Sequence, residues 1–240
     1  MAEIDDAYLH AGGKAELGVI GTGRMGIRLA AMFARAGRRV VLASRTPGRA
    51  RQVTEALRIP GLLAGSHGDA FAAPAVLPAL FLRDGLAELL EAHAGQLDGT
   101  LVIDISNPFN EDYSDYILPW DTSSAEVVQA LLPRSRIVGA FKHVFSAVFD
   151  APLFDGSTSD VLVVGDDDQA KARFLALAEG TPFRYLDAGP LRFARTLERL
   201  TLITGRVGRQ SGYYPRMNWR LLGDAALVPR PGPMDGLVQS

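Results

Sequence analysis

Short apolar runs alternate with amphipathic stretches along most of this chain. Leu17–Ile20 is the first such run, and behind Gly21, Gly23 and Gly26 a stretch follows in which Ile27, Ala30, Ala31 and Ala34 share one helical face. The pattern predicts a buried strand, a glycine turn and a helix from Met25 to about Ala36, ended by Gly37. Further strands are predicted at 39–43, 62–64, 75–81, 100–105 and 136–141. Between them, Thr46 with Pro47 reads as a helix start, and Ser66 with Asp69 as a helix cap. Asp84–Ala94 reads as a helix, and Ser123 with Glu126 as a capping box that turns Val127, Val128, Leu131 and Leu132 inward. Strands that alternate with helices point to an α/β fold, a Rossmann-type doubly wound, mostly parallel sheet.

A second, smaller set of elements follows a loop at 151–159. It comprises a strand at 160–165, a helix with Ala170, Phe174, Leu177 and Ala178 inward, a strand at 183–186 and a helix from Leu191 to about Val207. On that last helix Phe193, Leu197, Leu200 and Thr204 share a face, and Gly205, Gly208 and Gly212 read as breaks. Asp166, Asp167 and Asp168 read as helix caps aligned with the helix dipole, and no metal is expected there. The expected organisation is an N-terminal arm (1–14), a Rossmann domain (15–150), a small C-terminal α/β extension over the substrate cleft (151–224) and a tail (225–240).

Composition narrows the function classes. The chain has 240 residues, 48% of them apolar, no cysteine and a net charge of −2. That is ample for a packed core and gives no field to attract nucleic acid or an anionic membrane. Without cysteine there is neither a disulfide framework nor thiolate chemistry. The acidic start (Glu3, Asp5, Asp6) is unlike a secretion signal, and the longest apolar run, Ala70–Leu82, is too short to span a bilayer and holds Pro74 and Pro78. A cytoplasmic protein acting on a small molecule is expected.

The candidate chemistry lies at predicted strand ends. Gly21, Gly23 and Gly26 match G-x-G-x-x-G between a strand and a helix, the dinucleotide fingerprint, with helix N–H groups from Met25 onward facing a pyrophosphate. After the second strand stand Ser44 and Arg45, with Arg49 one turn later and no acid nearby. An acid there would hold the ribose hydroxyls of NAD, whereas a hydroxyl and two guanidinium groups suit the 2′-phosphate of NADP(H). Ser106 and Asn107 end the fifth strand, where they either touch the nicotinamide half or form a plain turn. Lys142 and His143 end the sixth and are the candidate proton donors for a carbonyl or imine acceptor, against the alternative of a solvated lysine and a packed histidine. Ser66-His67-Gly68-Asp69 lacks the strand–elbow–helix setting of a nucleophile.

Four blocks carry a resemblance to a known family. They are Val19–Gly26; Leu42–Arg45; Ser123–Val128 with Val138–Phe141; and Val163–Asp168 with Leu186–Leu191. Together they resemble the F420-dependent NADP reductase family over about Glu16–Gly223. The resemblance implies NADP(H) at the glycine turn, with Thr22 and Arg24 near the phosphates and Ser44, Arg45 and Arg49 on the 2′-phosphate. It also implies a dimer, and a deazaflavin, F420, laid against the nicotinamide. The chain departs from the family pattern at Lys142-His143, at Pro78 and at Leu80-Phe81-Leu82, where the second substrate should lie. Hydride exchange with F420 is therefore weighed against NADPH-dependent reduction of an imine or carbonyl, and against a non-catalytic NADP sensor.

Overall fold

Every strand of the main sheet is short and apolar because both of its faces are covered. β1 (Leu17–Ile20), β2 (Val40–Ala43), β3 (Leu62–Gly65), β4 (Ala75–Pro78), β5 (Leu101–Asp104) and β6 (Arg136–Gly139) form a parallel sheet in the order β3-β2-β1-β4-β5-β6. The structure is a computed structural model that describes residues 14–223. The arm and tail expected at the two ends lie, Lys14 apart, outside the described residues.

Alternate residues of each strand feed two cores. On one face Leu17, Val19, Val40, Leu42 and Ile103 meet Leu29 and Phe33 of α1 (Arg24–Arg35) and Ala50 and Val53 of α2 (Arg49–Leu57). On the other, Ile20, Val41 and Val102 meet Phe71 of α3 (His67–Phe71), Leu86 and Leu90 of α4 (Leu86–Ala92), and Ala125 and Val128 of α5 (Ser124–Leu131). Each large apolar side chain buried in this way contributes about 1.5–3 kcal/mol.

The C-terminal elements are built into the same cores. β7 (Leu153–Phe154) and β8 (Ser157–Thr158) make a small hairpin, and β9 (Asp160–Val163) pairs in parallel with β10 (Arg184–Asp187). An antiparallel bridge between Gly139 and Val164, with N–H···O distances of 2.8 and 3.0 Å, ties the end of β9 to the end of β6. Phe174 of α6 (Asp168–Ala178) and Phe183 pack with Phe141, which also meets Phe33 of α1 edge-on.

Three local expectations are corrected. β4 ends at Pro78 rather than Phe81; proline has no N–H to donate, and the Ala79 N–H makes the next bond, to Ile20 O at 2.7 Å. Thr46 does not cap α2: its N–H is held by Ser44 Oγ at 3.1 Å, and the helix begins only after Gly48, whose φ of 73° turns the chain. The last helix, α7 (Ala194–Gln210), runs straight through Gly205 and Gly208. Its buried stripe is Ala194, Leu197, Glu198, Thr201, Thr204, Gly205 and Gly208, while Phe193 is exposed. The glycines serve close packing there. A Cβ on Gly208 would lie 2.7 Å from Met217 Sδ, and one on Gly205 would meet the Phe145 ring at 3.5 Å.

The glycine turn shows a division of labour. Gly21 has a φ of +116° and is pressed against the Ala79 carbonyl. A Cβ on Gly26 would lie 1.9 Å from the Gly21 carbonyl oxygen, so helix and strand touch through bare backbone. A Cβ on Gly23 would meet nothing within 4 Å. Gly26→Ala should therefore cost about 1–3 kcal/mol in urea denaturation, the scale of an overpacked core. Gly23→Ala should change stability by less than about 0.5 kcal/mol, since it strains nothing in the protein itself.

Candidate functional site

The carboxyl ends of the parallel strands converge at one sheet edge, and the chain places its candidate groups there. α1 starts after Gly23 with no side-chain cap and no acid in its first turn, so its N-terminal N–H groups face outward toward an anion. Thr22 and Ser44 join the glycine turn to the end of β2, their hydroxyl oxygens 3.1 Å apart. Arg24, Arg45 and Arg49 are exposed. None of their side chains forms an ion pair or hydrogen bond among the described residues. Three guanidinium groups without a partner among the described residues and an open helix N-terminus are groups that could bind an anion, and the open space over Gly23 is where a diphosphate could approach the backbone.

The other half of the edge is built from β4, β5 and β6. β4 and β5 pair in register at Ala75–Leu101 and Val76–Val102. Ser106 and Asn107 follow β5 and are both buried. The loop after β4 contributes Phe81 and Arg83. The guanidinium of Arg83 lies over the rings of Phe81 and Tyr113 (4.8 and 4.5 Å) and donates to the carbonyls of Phe109 and Asn110.

Lys142 and His143 were expected as donors at this edge, and neither is open to it. Phe141, at a φ of 56°, turns the chain inward after β6, and the Lys142 side chain becomes fully buried. Its ammonium donates to Asp104 Oδ2 (2.6 Å), Ser106 O (2.7 Å) and Glu198 Oε1 (2.8 Å), which uses all three hydrogens. Burial opposes the charge, but the Asp104 and Glu198 carboxylates override it and hold the ammonium above its ordinary pKa. Burial in turn pushes Glu198 up; Lys142 opposes that shift and Asp104 adds to it. Glu198 also accepts the N–H groups of Ser124 and Ala125, and so occupies the N-terminus of α5. His143 is fully buried too. Its Nε2 lies 3.1 Å from the Asp160 carbonyl, which can only accept, so the proton sits on Nε2 and the buried Nδ1 has no partner.

The sequence reading missed Asp104, Ser124, Glu198 and Thr201. Two of them leave a signal: Asp104 is a charge inside the apolar run T-L-V-I-D-I, and Glu198 falls between Leu197 and Thr201 on the inward face of α7.

Known proteins bear on this geometry. Residues 16–108 match the family described as NADP oxidoreductase, coenzyme F420-dependent. It is 28% identical over 194 residues to the F420-dependent NADP reductase of Methanocaldococcus jannaschii, covering 75% of this chain and 86% of that protein. It is 29% identical over 187 residues to the metalloreductase STEAP3 of Rattus norvegicus, covering 78% of this chain but only 36% of that one. The chain thus spans about a third of the length of the STEAP relatives it matches. A crystal structure from Arthrobacter sp. FB24, assigned by name to the F420-dependent NADP reductases, superposes with a TM-score of 0.73 at 24% identity, covering 87% of this chain and all of that one. That likeness carries the fold, an α/β sheet in Rossmann order. No described helix is long and apolar enough to cross a membrane.

Burial lowers the His143 pKa to about 4, against which the Asp160 carbonyl and carboxylate act only weakly. A histidine held neutral in the fold gives stability that is present above about 6.5, its unfolded value, and lost as pH falls toward 4. The loss over that window should be on the order of 3 kcal/mol. Urea denaturation from pH 7 to pH 4 should show it in the wild type, and His143→Gln should flatten that part of the curve.

Proposed function

We propose that this chain, like the NADP oxidoreductase family that its residues 16–108 resemble, exchanges hydride between NADP(H) and a flat acceptor laid on the nicotinamide, coenzyme F420 being the acceptor that the resemblance favours. NADP(H), when bound, supplies or takes up two electrons and a proton at its nicotinamide ring. Gly21, Gly23 and Gly26, with Thr22, Arg24 and Met25, would seat the diphosphate, while Ser44, Arg45 and Arg49 would hold the 2′-phosphate. Ser106 and Asn107 would line the nicotinamide half. The apolar and aromatic segment after β4 would help to exclude water from the reacting faces.

One observation carries the choice of acceptor: Lys142 and His143 are locked inside the protein. A carbonyl or imine needs a proton donor or charge stabiliser at the reduced centre. A deazaflavin spreads the added charge over its own ring and needs positioning alone. Two tyrosine hydroxyls that could also donate, Tyr213 and Tyr214, belong to exposed residues, and Tyr214 packs against Phe145 and Arg209. A homodimer in the cytoplasm belongs to the same proposal. The exposed Ile203 and Val207 of α7, with Trp120 close to that helix through its stacking on Arg199, support the dimer by leaving an apolar face free.

Two measurements test the reading. NADPH mixed with the protein and F420 should bleach the visible absorbance of the deazaflavin, and an unchanged spectrum rules F420 out as acceptor. Arg45→Ala should weaken NADPH binding by about 1.5–3 kcal/mol, the scale of a charged hydrogen bond, and leave NADH nearly unaffected. An equal loss for both coenzymes contradicts the 2′-phosphate clamp.

A further inference from the structure

Lys142 has a task that its burial makes possible. Its ammonium fixes the Ser106 carbonyl at 2.7 Å, and its own carbonyl accepts the Asn107 Nδ2–H at 2.7 Å. That carbonyl is held from the other side by Thr201 Oγ1, also at 2.7 Å. The Ser106–Asn107 segment is thus clamped from two directions by one residue. A planar carboxamide that spends its nitrogen on the Lys142 carbonyl must turn its oxygen away from that carbonyl. Asn107 Oδ1 is buried, in a residue only 8% exposed, and has no partner among the described residues. A buried acceptor left bare is destabilising, and an incoming N–H donor would recover that loss. Asn107 stands three residues past β5, at the ligand edge of the sheet, over the half that holds the second nucleotide in this strand order.

We infer that Asn107 Oδ1 accepts a hydrogen bond from the carboxamide N–H of the nicotinamide, and that Lys142 is the positioning residue that fixes the asparagine for it. This rests on the NADP(H) reading above and adds to it the group that tells a carboxamide from an isostere without a donor. Lys142 acts through Asn107 and does not transfer a proton.

The test compares three ligands on the full chain by calorimetry. They are NADP+, its 3-acetylpyridine analogue, in which a methyl ketone replaces the carboxamide, and 2′,5′-ADP, which has no nicotinamide half. The wild type should bind NADP+ about tenfold more tightly than the analogue, the worth of one such bond. Asn107→Leu and Lys142→Met should each bind NADP+ and the analogue equally, while 2′,5′-ADP binds them as it does the wild type. Unchanged 2′,5′-ADP affinity shows that each variant is folded, and a general loss of structure would not remove the preference selectively. The wild-type comparison needs no variant, so a failure of Lys142→Met to fold leaves the inference testable. Equal wild-type affinity for NADP+ and analogue, with 2′,5′-ADP still bound, overturns the inference and spares the coenzyme reading. Failure of the wild type to bind 2′,5′-ADP overturns both. Retention of the preference by Lys142→Met, with its loss in Asn107→Leu, overturns the positioning role.

Discussion

A single buried ammonium holds the working edge of this protein together. Lys142 joins the ends of β5 and β6, and through Glu198 it reaches α7 and the first turn of α5. Two carboxylates and a carbonyl surround one cation in the interior. The desolvation such a cluster incurs is large, and only complete pairing offsets it. The pairing is complete at the nitrogen, and the surplus negative charge rests on the positive end of a helix. Such a cluster need not add net stability. It fixes where four chain segments meet, and those segments include the wall expected to face the nicotinamide. Strain accompanies it, since Phe141 adopts a left-handed conformation to bring Lys142 inside.

The two halves of the site differ in what their residues have to do. The half toward β2 consists of backbone and exposed arginines, pre-shaped for phosphate and unpaired among the described residues. The half toward β6 is interior, and nearly every polar group in it is already engaged. On the proposed reading, a charge-rich grip on one end of a dinucleotide and a buried wall at the other would suit a reaction in which binding energy positions a ring and the protein moves no proton.

Much of this was legible in the sequence, and the reasons are physical. Gly21 and Gly26 could be read because their constraint is steric and local, and the alternation of strands and helices because both faces of the sheet are covered. The role of Lys142 could not be read from its own neighbourhood. A lysine just past a strand is ordinarily solvated, and the partners that draw it inside lie 38 and 56 residues away. α7 misled for the opposite reason. Beside Ala194 and Leu197 its inward face is made largely of glycine, threonine and glutamate, most of which an apolar-stripe criterion discards, while Phe193 on the outer side satisfies that criterion.

The Gly139–Val164 bridge has a mechanical consequence. It knits β9 to the last strand of the main sheet by two backbone bonds, and the aromatic cluster around Phe141 fills the angle behind it. The C-terminal elements therefore travel with the sheet and do not swing on a hinge. With those elements held to the sheet, the loops after β4 and β5 are left to set the width of a cleft at this edge, which makes them the place where such a scaffold could be refitted to electron acceptors of different size.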